Sequence, residues 1–244
     1  MPSYTAKGQN TAKEVLVLNW GIIGALDAEV ALIKEQMNVE KTLTIYGADF
    51  ITGTIGTERI TVVCSSIGTI NAAACASSLI REFGAEAVVN VGIAGAMGKG
   101  LKVLDVVVSE DTVFHDKDHS VLEKYYPFKR SYTASPKLIE QCAHAIKSLA
   151  CPPNYQIGRV ATGDVFVNDP VLKAKIAGDY APLCVEMEGA AVGQIATMGN
   201  IPFLVIRTLS DNADENADQT YDNFLERAAH QSANIILNMI RGEN

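Results

Sequence analysis

The stretch AVVNVGIAGAMGKGLKVLDVVV, residues 87–108, decides the fold. Ala87 to Val91 is a β-branched apolar run and predicts a strand. It leads into Gly92-Ile93-Ala94-Gly95-Ala96-Met97-Gly98, and Val103 to Val108 predicts a second strand. Runs this apolar suit strands buried on both faces. The glycine spacing, Gly92-x-x-Gly95-x-x-Gly98, is not the dinucleotide-binding fingerprint, which needs G-x-G-x-x-G opening a helix. Two readings stand at this point: glycines that let a backbone approach a ligand closely, or a tight turn with no ligand.

Outward from this stretch, strands alternate with helical patterns. Val15 to Ala25 reads as a buried strand ending in glycines, and Asp27 to Met37 as a helix. Phe50 to Ile55 and Ile60 to Ser65 read as a hairpin turning at Gly56-Thr57-Glu58. Asn71 to Phe83 is an alanine-rich helix stopped by Gly84. Leu138 to Leu149 and Gly189 to Met198 are helices, and Tyr155 to Ala161, Leu183 to Val185 and Pro202 to Arg207 are strands. Asn223 to Ile240 has helical periodicity. The long segment His115 to Thr133 is read as an irregular loop, functional or simply surface elaboration. The expected class is α/β, a single-domain three-layer sandwich with a mixed central sheet flanked by helices. Residues 15–244 form that domain, and 1–14 a loose polar extension with no apolar core of a signal peptide.

The 244 residues are 48% hydrophobic, enough for a sizeable core and too apolar for a disordered chain. The net charge of −8 with no basic stretch argues against nucleic acid or an anionic membrane surface as partner. No apolar run is long enough to suggest a membrane span. Five scattered cysteines, none in CxxC spacing, fit neither a disulfide framework nor a zinc site, and suit a reducing cytoplasm. Nucleophile-elbow, phosphate-loop and H-E-x-x-H motifs are absent. A metal held by His115 and His119 in the long loop is disfavoured, so neither metal nor cofactor is expected.

In sheets of this kind ligands sit at the carboxyl ends of strands. That singles out Gly24 to Glu29, Ser65 to Thr69, Gly92 to Gly98, Thr162 to Val167, Glu186 to Glu188 and Arg207 to Asp214. Glu29 lies one turn into a helix near a strand end: a cleft acid, or a surface glutamate. Val185-Glu186-Met187-Glu188 places two acids at alternate positions that a strand would aim the same way. They suit sugar hydroxyls or water, or one of them opens the helix at Gly189. The strand at Pro202 delivers Arg207, Ser210 and Asp211 to one end, for chemistry or as an Arg–Asp structural pair.

Seven segments in order make the chain resemble the nucleoside phosphorylase/nucleosidase superfamily: GIIGALDAEV (21–30), SSIG (65–68), VNVGIAGAMGKGLKVLDVVVS (89–109), FHDKD (114–118), TGDVF (162–166), VEMEGAA (185–191) and IPFLVIRTLSDNAD (201–214). Within it the chain is most similar to the nucleosidases acting on 5′-methylthioadenosine and S-adenosylhomocysteine. The resemblance implies hydrolysis of an adenine N-glycosidic bond to adenine and a 5-thio-substituted ribose. It makes Asp211 the acid that protonates the purine, with Ser210 beside it, Glu29 the group that orients and deprotonates water, and Arg207 a residue near that water. Glu188 would grip the ribose hydroxyls, Met187 lie on the sugar, and Glu186 accompany them. Phe166 would stack on adenine and the Val167 backbone meet the purine edge. Leu26, Ile67 and the turn residues Ile93, Ala94 and Gly95 would line the pocket.

Three positions depart from the family pattern. Ile93 stands where serine is usual, Tyr221 where phenylalanine is usual, and the lid His119 to Phe128 is shortened, with His119 at an apolar position. Tyr221 and His119 would make the 5′ end of the pocket more polar. The family's homodimer, in which Tyr125, Tyr126, Pro127 and Phe128 edge the neighbour's pocket, is the expected assembly. Absence of Arg and Lys from Gly21–Val30 and Gly92–Gly98 favours water over phosphate as nucleophile. The alternatives are a nucleoside phosphorylase, a nucleosidase for another purine nucleoside such as adenosine or a futalosine-like compound, and a non-catalytic nucleoside-binding protein.

Overall fold

The chain's β-branched apolar runs pair into one mixed sheet. The structure, a computed structural model, describes residues 18–214 and 217–242, the side chains of 218 and 219 excepted. The expected extension 1–14 and the start of the first strand lie outside the described residues. The elements in order are β1 (Asn19–Gly24), α1 (Asp27–Gln36), β2 (Asn38–Ile45), β3 (Ala48–Ile55), β4 (Glu58–Cys64), α2 (Thr69–Arg81), β5 (Ala87–Ala96) and β6 (Val106–Phe114). Then follow α3 (His119–Lys124), β7 (Ser131–Thr133), α4 (Pro136–Lys147), β8 (Tyr155–Thr162), α5 (Pro170–Tyr180), β9 (Cys184–Glu186), α6 (Gly189–Met198), β10 (Phe203–Asp211) and α7 (Ala217–Arg241).

Strand order is β10-β6-β8-β9-β5-β1-β4-β3-β2, with β7 on β6. β5 is the pivot. Its first half pairs in parallel with β1, its far edge in parallel with β10, and its end, Gly95–Ala96, antiparallel with β9. The β10–β5 pairing closes β5, β10, β6, β8 and β9 into a ring, while β1, β4, β3 and β2 extend from it as an open sheet. Helices pack on this sheet, and one large apolar core runs through Ile22, Val89, Leu204 and Ile236. Among the described residues no helix is long and apolar enough to cross a membrane.

The structure differs from the sequence expectation in four places. The glycine segment is no turn: β5 continues through Gly92 and Gly95 to Ala96. Part of the expected loop His115–Thr133 is ordered as α3 and β7, with the Asp118 carboxylate accepting from the Ser120 N–H at 2.8 Å to start the helix. β2 escapes period-two reading because seven of its eight residues are exposed. α5 buries only Ile176, so it has no apolar stripe to read. Its signals are the Asp169 N-cap, accepting from Val171 and Leu172 N–H, and Pro170 in the first turn.

Candidate active site

The ends of six strands and the start of α7 enclose a cavity of about 450 Å³. Its wall includes Leu26, Glu29, Ile67, Ile93, Ala94, Gly95, Phe166, Glu186, Met187, Glu188, Ser210, Asp211 and Tyr221, all expected there from sequence, and also Ala25, Val185 and Asp222, which were not. Five of these residues are acids and none is Lys, Arg or His.

Glu29 is buried, not a surface glutamate, at 3% exposure. It folds back over the start of α1 because the first amides of a helix lack partners. Oε2 accepts from the N–H groups of Ala25 at 2.6 Å and Leu26 at 2.9 Å, and Oε1 from the N–H of Ile93 at 3.0 Å. Burial raises its pKa, opposed by the Arg207 charge and these three N–H groups. Gly92 makes this approach possible: a Cβ there would lie 2.4 Å from Glu29 Oε1 and 2.9 Å from Arg207 Nη1. Ile93 gives Glu29 a backbone N–H that any residue but proline would supply, and it is part of the cavity wall.

Asp211 is 2% exposed at the end of β10. Oδ2 accepts from the Ser210 hydroxyl at 2.8 Å and Oδ1 from the Ala213 N–H at 2.7 Å. Burial raises its pKa, and the two hydrogen bonds work against that rise. A Cβ on Gly95 would meet Asp211 Oδ1 at 2.9 Å. The glycines at 92 and 95 therefore make room for the protein's own charged side chains. Glu29 meets β5 at Gly92 and Ile93 and Asp211 meets it at Gly95, so both acids are set against one strand.

Glu186 and Glu188 have separated roles. β9 ends at Glu186, and Glu188 is already the N-cap of α6, so the strand argument for a shared face does not apply. Both Glu186 oxygens are engaged: they accept from the Thr162 hydroxyl, the Arg207 guanidinium, the Glu188 N–H at 3.0 Å and the Gly189 N–H at 2.7 Å. Glu186 is the acid that opens the helix, and its Oε2 carries three of these four bonds. Glu188 takes one close bond, from the Gly68 N–H at 2.8 Å, with Arg207 at 3.5 Å. Burial, and then repulsion from Glu186, push its pKa up to about 8 against the pull of Arg207.

Three expected site residues are not in the wall of this cavity. Arg207 does not reach the cavity wall; at 1% exposure it lies behind it, bonded to Glu186 and to Asn90. A fully buried guanidinium needs such partners, and they are glutamates, not Asp211. Val167 belongs to an apolar cluster with Val113, Ile176 and Ala213 and lines a small cleft that shares Gly95, Phe166, Met187 and Asp211 with the cavity. His119 has its Nε2 2.6 Å from the Phe114 carbonyl oxygen and its ring on Tyr180, and its expected place is the neighbouring subunit's pocket, not this one. Phe166 meets Tyr221 edge-on at 5.8 Å between centroids.

Asn90 was missed, although a polar residue inside an apolar strand is a readable signal. Its Nδ2 donates to Ile23 O at 3.0 Å while its Oδ1 accepts from Arg207. Asp222 gave no such signal.

A family model described as the Phosphorylase superfamily matches residues 19–241. A 5′-methylthioadenosine/S-adenosylhomocysteine nucleosidase from Oceanobacillus iheyensis is 34% identical over 229 residues, covering 91% of this chain and 98% of the relative. The crystal structure of the nucleosidase of that name from Neisseria meningitidis, in complex with methylthio-immucillin-A, superposes with a TM-score of 0.87 at 33% identity, over 92% of this chain and 99% of that one. A futalosine hydrolase from Helicobacter pylori superposes with a TM-score of 0.85 at 30% identity, over 92% and 98% of the two chains.

Proposed function

The chain belongs to the Phosphorylase superfamily, and from that premise we propose that it is a purine nucleosidase. It hydrolyses the N-glycosidic bond of 5′-methylthioadenosine, S-adenosylhomocysteine or both, giving adenine and a 5-thio-substituted ribose. The supporting observation is the pair of buried acids, Glu29 from α1 and Asp211 from β10, that meet β5 near Ile93 and Gly95 in a cavity with no Lys, Arg or His among the described residues of its wall.

Each acid has one task. Asp211, in the protonated form that burial favours, delivers a proton to N7 of the purine as the bond from the anomeric carbon to N9 breaks. Positive charge builds on the ribose. Glu29, held as an acceptor by three N–H groups, takes a proton from the water whose oxygen bonds to that carbon. Glu188 accepts from the ribose hydroxyls, Met187 lies on the sugar, and Phe166 stacks on the base. Ser210 aims Asp211, and Arg207 acts through Glu186 and Glu188. No cofactor enters these steps.

A second reading, a nucleosidase for a nucleoside with a more polar 5′ group, has its own support. Tyr221 and Asp222 face the cavity, and a futalosine hydrolase has the same fold. One experiment separates the readings: a panel of nucleosides varied at the base and the 5′ position, with and without phosphate, scored for free base. Release of adenine from the 5′-thio substrates without phosphate supports hydrolysis. Strict dependence on phosphate, with ribose 1-phosphate as product, overturns it, and tight binding with no base released points to a binding protein.

The assembly is proposed as a homodimer. Its support is the exposed apolar edge Val121, Tyr125, Tyr126 and Phe128, with Ile67 and Val165 near the cavity. Light scattering on the purified chain tests it. Five free thiols suit a cytoplasmic setting.

A further inference from the structure

Glu188 has one close hydrogen bond, from the backbone of Gly68. Gly68 is the N-cap of α2, with φ at 109°, so its N–H direction depends on what holds the chain just after it. That holder is Asp164. Its Oδ1 accepts from the Thr69 N–H at 2.7 Å and its Oδ2 from the Thr69 hydroxyl. A Cβ on Gly68 would lie 3.2 Å from the same Oδ1. Asp164 is itself fixed: its N–H donates to Asp116 Oδ2 at 2.8 Å, just beyond the end of β6. Thr69 is buried, while Asp164 does not line the cavity. A continuous path thus runs from Asp116 through Asp164 and the Gly68–Thr69 turn to Glu188. Phe166 lies two residues beyond Asp164 on the same segment.

We propose that Asp164 is a positioning residue for the sugar-binding carboxylate, clipping the segment that bears Phe166 to the start of α2 so that the Gly68 N–H points at Glu188. This rests on the nucleosidase reading for the identity of the reaction. The clip couples the two halves of the substrate: a base seated against Phe166 holds the segment, and the segment holds the amide that orients Glu188 toward the ribose.

A double-mutant cycle tests it, because a residue acting through Glu188 loses its effect once Glu188 is altered. Asp164→Ala should lower kcat/KM for adenine release about tenfold, the size expected for one lost charge-assisted bond. In a Glu188→Ala background, where the Gly68 N–H has no side-chain acceptor to meet, the same change should cost less than about twofold. Asp164→Asn, which keeps one acceptor for the Thr69 N–H, should recover part of the loss. Thr69→Val, which keeps the N–H and loses the hydroxyl, should show the same pattern more weakly. Those two variants decide the matter should Asp164→Ala melt early. Equal costs in both backgrounds overturn the proposal, leaving Asp164 a structural residue. If the wild type releases no base from any nucleoside, the nucleosidase reading falls. The cycle is then read on calorimetric nucleoside Kd, where additive effects, or no binding at all, overturn the clip as well.

Discussion

Replacing Gly92 by alanine tests whether Glu29 acts from the place the structure gives it. The new Cβ would lie 2.4 Å from Glu29 Oε1 and 2.9 Å from Glu29 Cδ, whereas ordinary contact begins at 3.4 Å. The carboxylate must back away by about 1 Å. It has little freedom to do so, because Oε2 is held by the amides of Ala25 and Leu26. The bond that gives is the one from the Ile93 N–H, now 3.0 Å, which stretches beyond hydrogen-bond range. A reacting group misplaced by about 1 Å costs roughly 100-fold in rate, and overpacking costs about 1–3 kcal/mol of stability. The assay is adenine release, with thermal unfolding followed on the same samples. Gly178→Ala is the control. A Cβ there meets nothing within 4 Å, so the rate should hold and stability rise by about 0.5–1 kcal/mol. A folded Gly92→Ala protein releasing adenine within about threefold of the wild-type rate would refute the reasoning, since the water-activating group cannot be that tolerant of displacement.

Other outcomes follow from the same geometry. Asp211→Asn keeps an acceptor for the Ser210 hydroxyl or the Ala213 N–H but has no acidic proton, so the rate should fall by about 100-fold or more. A nucleoside with a better leaving base should be hit less in that variant, and an equal loss on both would remove Asp211 as the acid. Glu188 bears on stability against pH. Its folded pKa of about 8 lies above the ordinary glutamate value of 4.5, so an unfolded chain ionises it first. Its favourable contribution is complete below about pH 4.5 and is lost as pH rises toward 8. Glu188→Gln should therefore flatten the fall in stability between those values in urea melts, and an unchanged slope would count against a raised pKa. Tyr221 keeps its proton, because burial and then the nearby Glu29 charge raise its pKa, so its hydroxyl is a donor at neutral pH. Tyr221→Phe should move the kcat/KM ratio toward 5′-methylthioadenosine over adenosine by about tenfold, and an unmoved ratio would place the hydroxyl away from the 5′ group.

The places where the sequence is legible share a cause. Apolar runs end where the sheet ends, and ligands gather at those ends, so the six segments chosen from strand boundaries all border or support the cavity. Identifying which acid does what was beyond the sequence because it depends on chain geometry after the strand stops. Glu186 and Glu188 look equivalent at alternate positions. They differ because the chain turns at Met187, leaving Glu186 to take the first amides of α6 and Glu188 to meet Gly68, 120 residues away in sequence. Glu29 looks like any acid in a first helical turn until Ile93, 64 residues on, brings its N–H to it. Arg207 was legible as a buried charge needing partners, but its partners come from β9 and β5: Glu186 was singled out as a site acid and not as that partner, and Asn90 was passed over.

The choice between water and phosphate as nucleophile rests on where the positive charge is spent. Phosphate, a dianion, needs cationic donors at hydrogen-bond range. Arg207 is the cation packed behind this wall, and its guanidinium is already shared between Glu186 and Glu188. What remains on the lining is carboxylate, and burial has raised the pKa of Glu29, Glu188 and Asp211 in the same direction. Adding a dianion to such a site would raise them further and work against ionised Glu29. Water adds no charge, and its proton has a destination in Glu29. The same negative surroundings that repel phosphate favour a developing ribosyl cation and keep a proton on Asp211 for the departing base. One charge distribution thus serves the nucleophile, the sugar and the leaving group together.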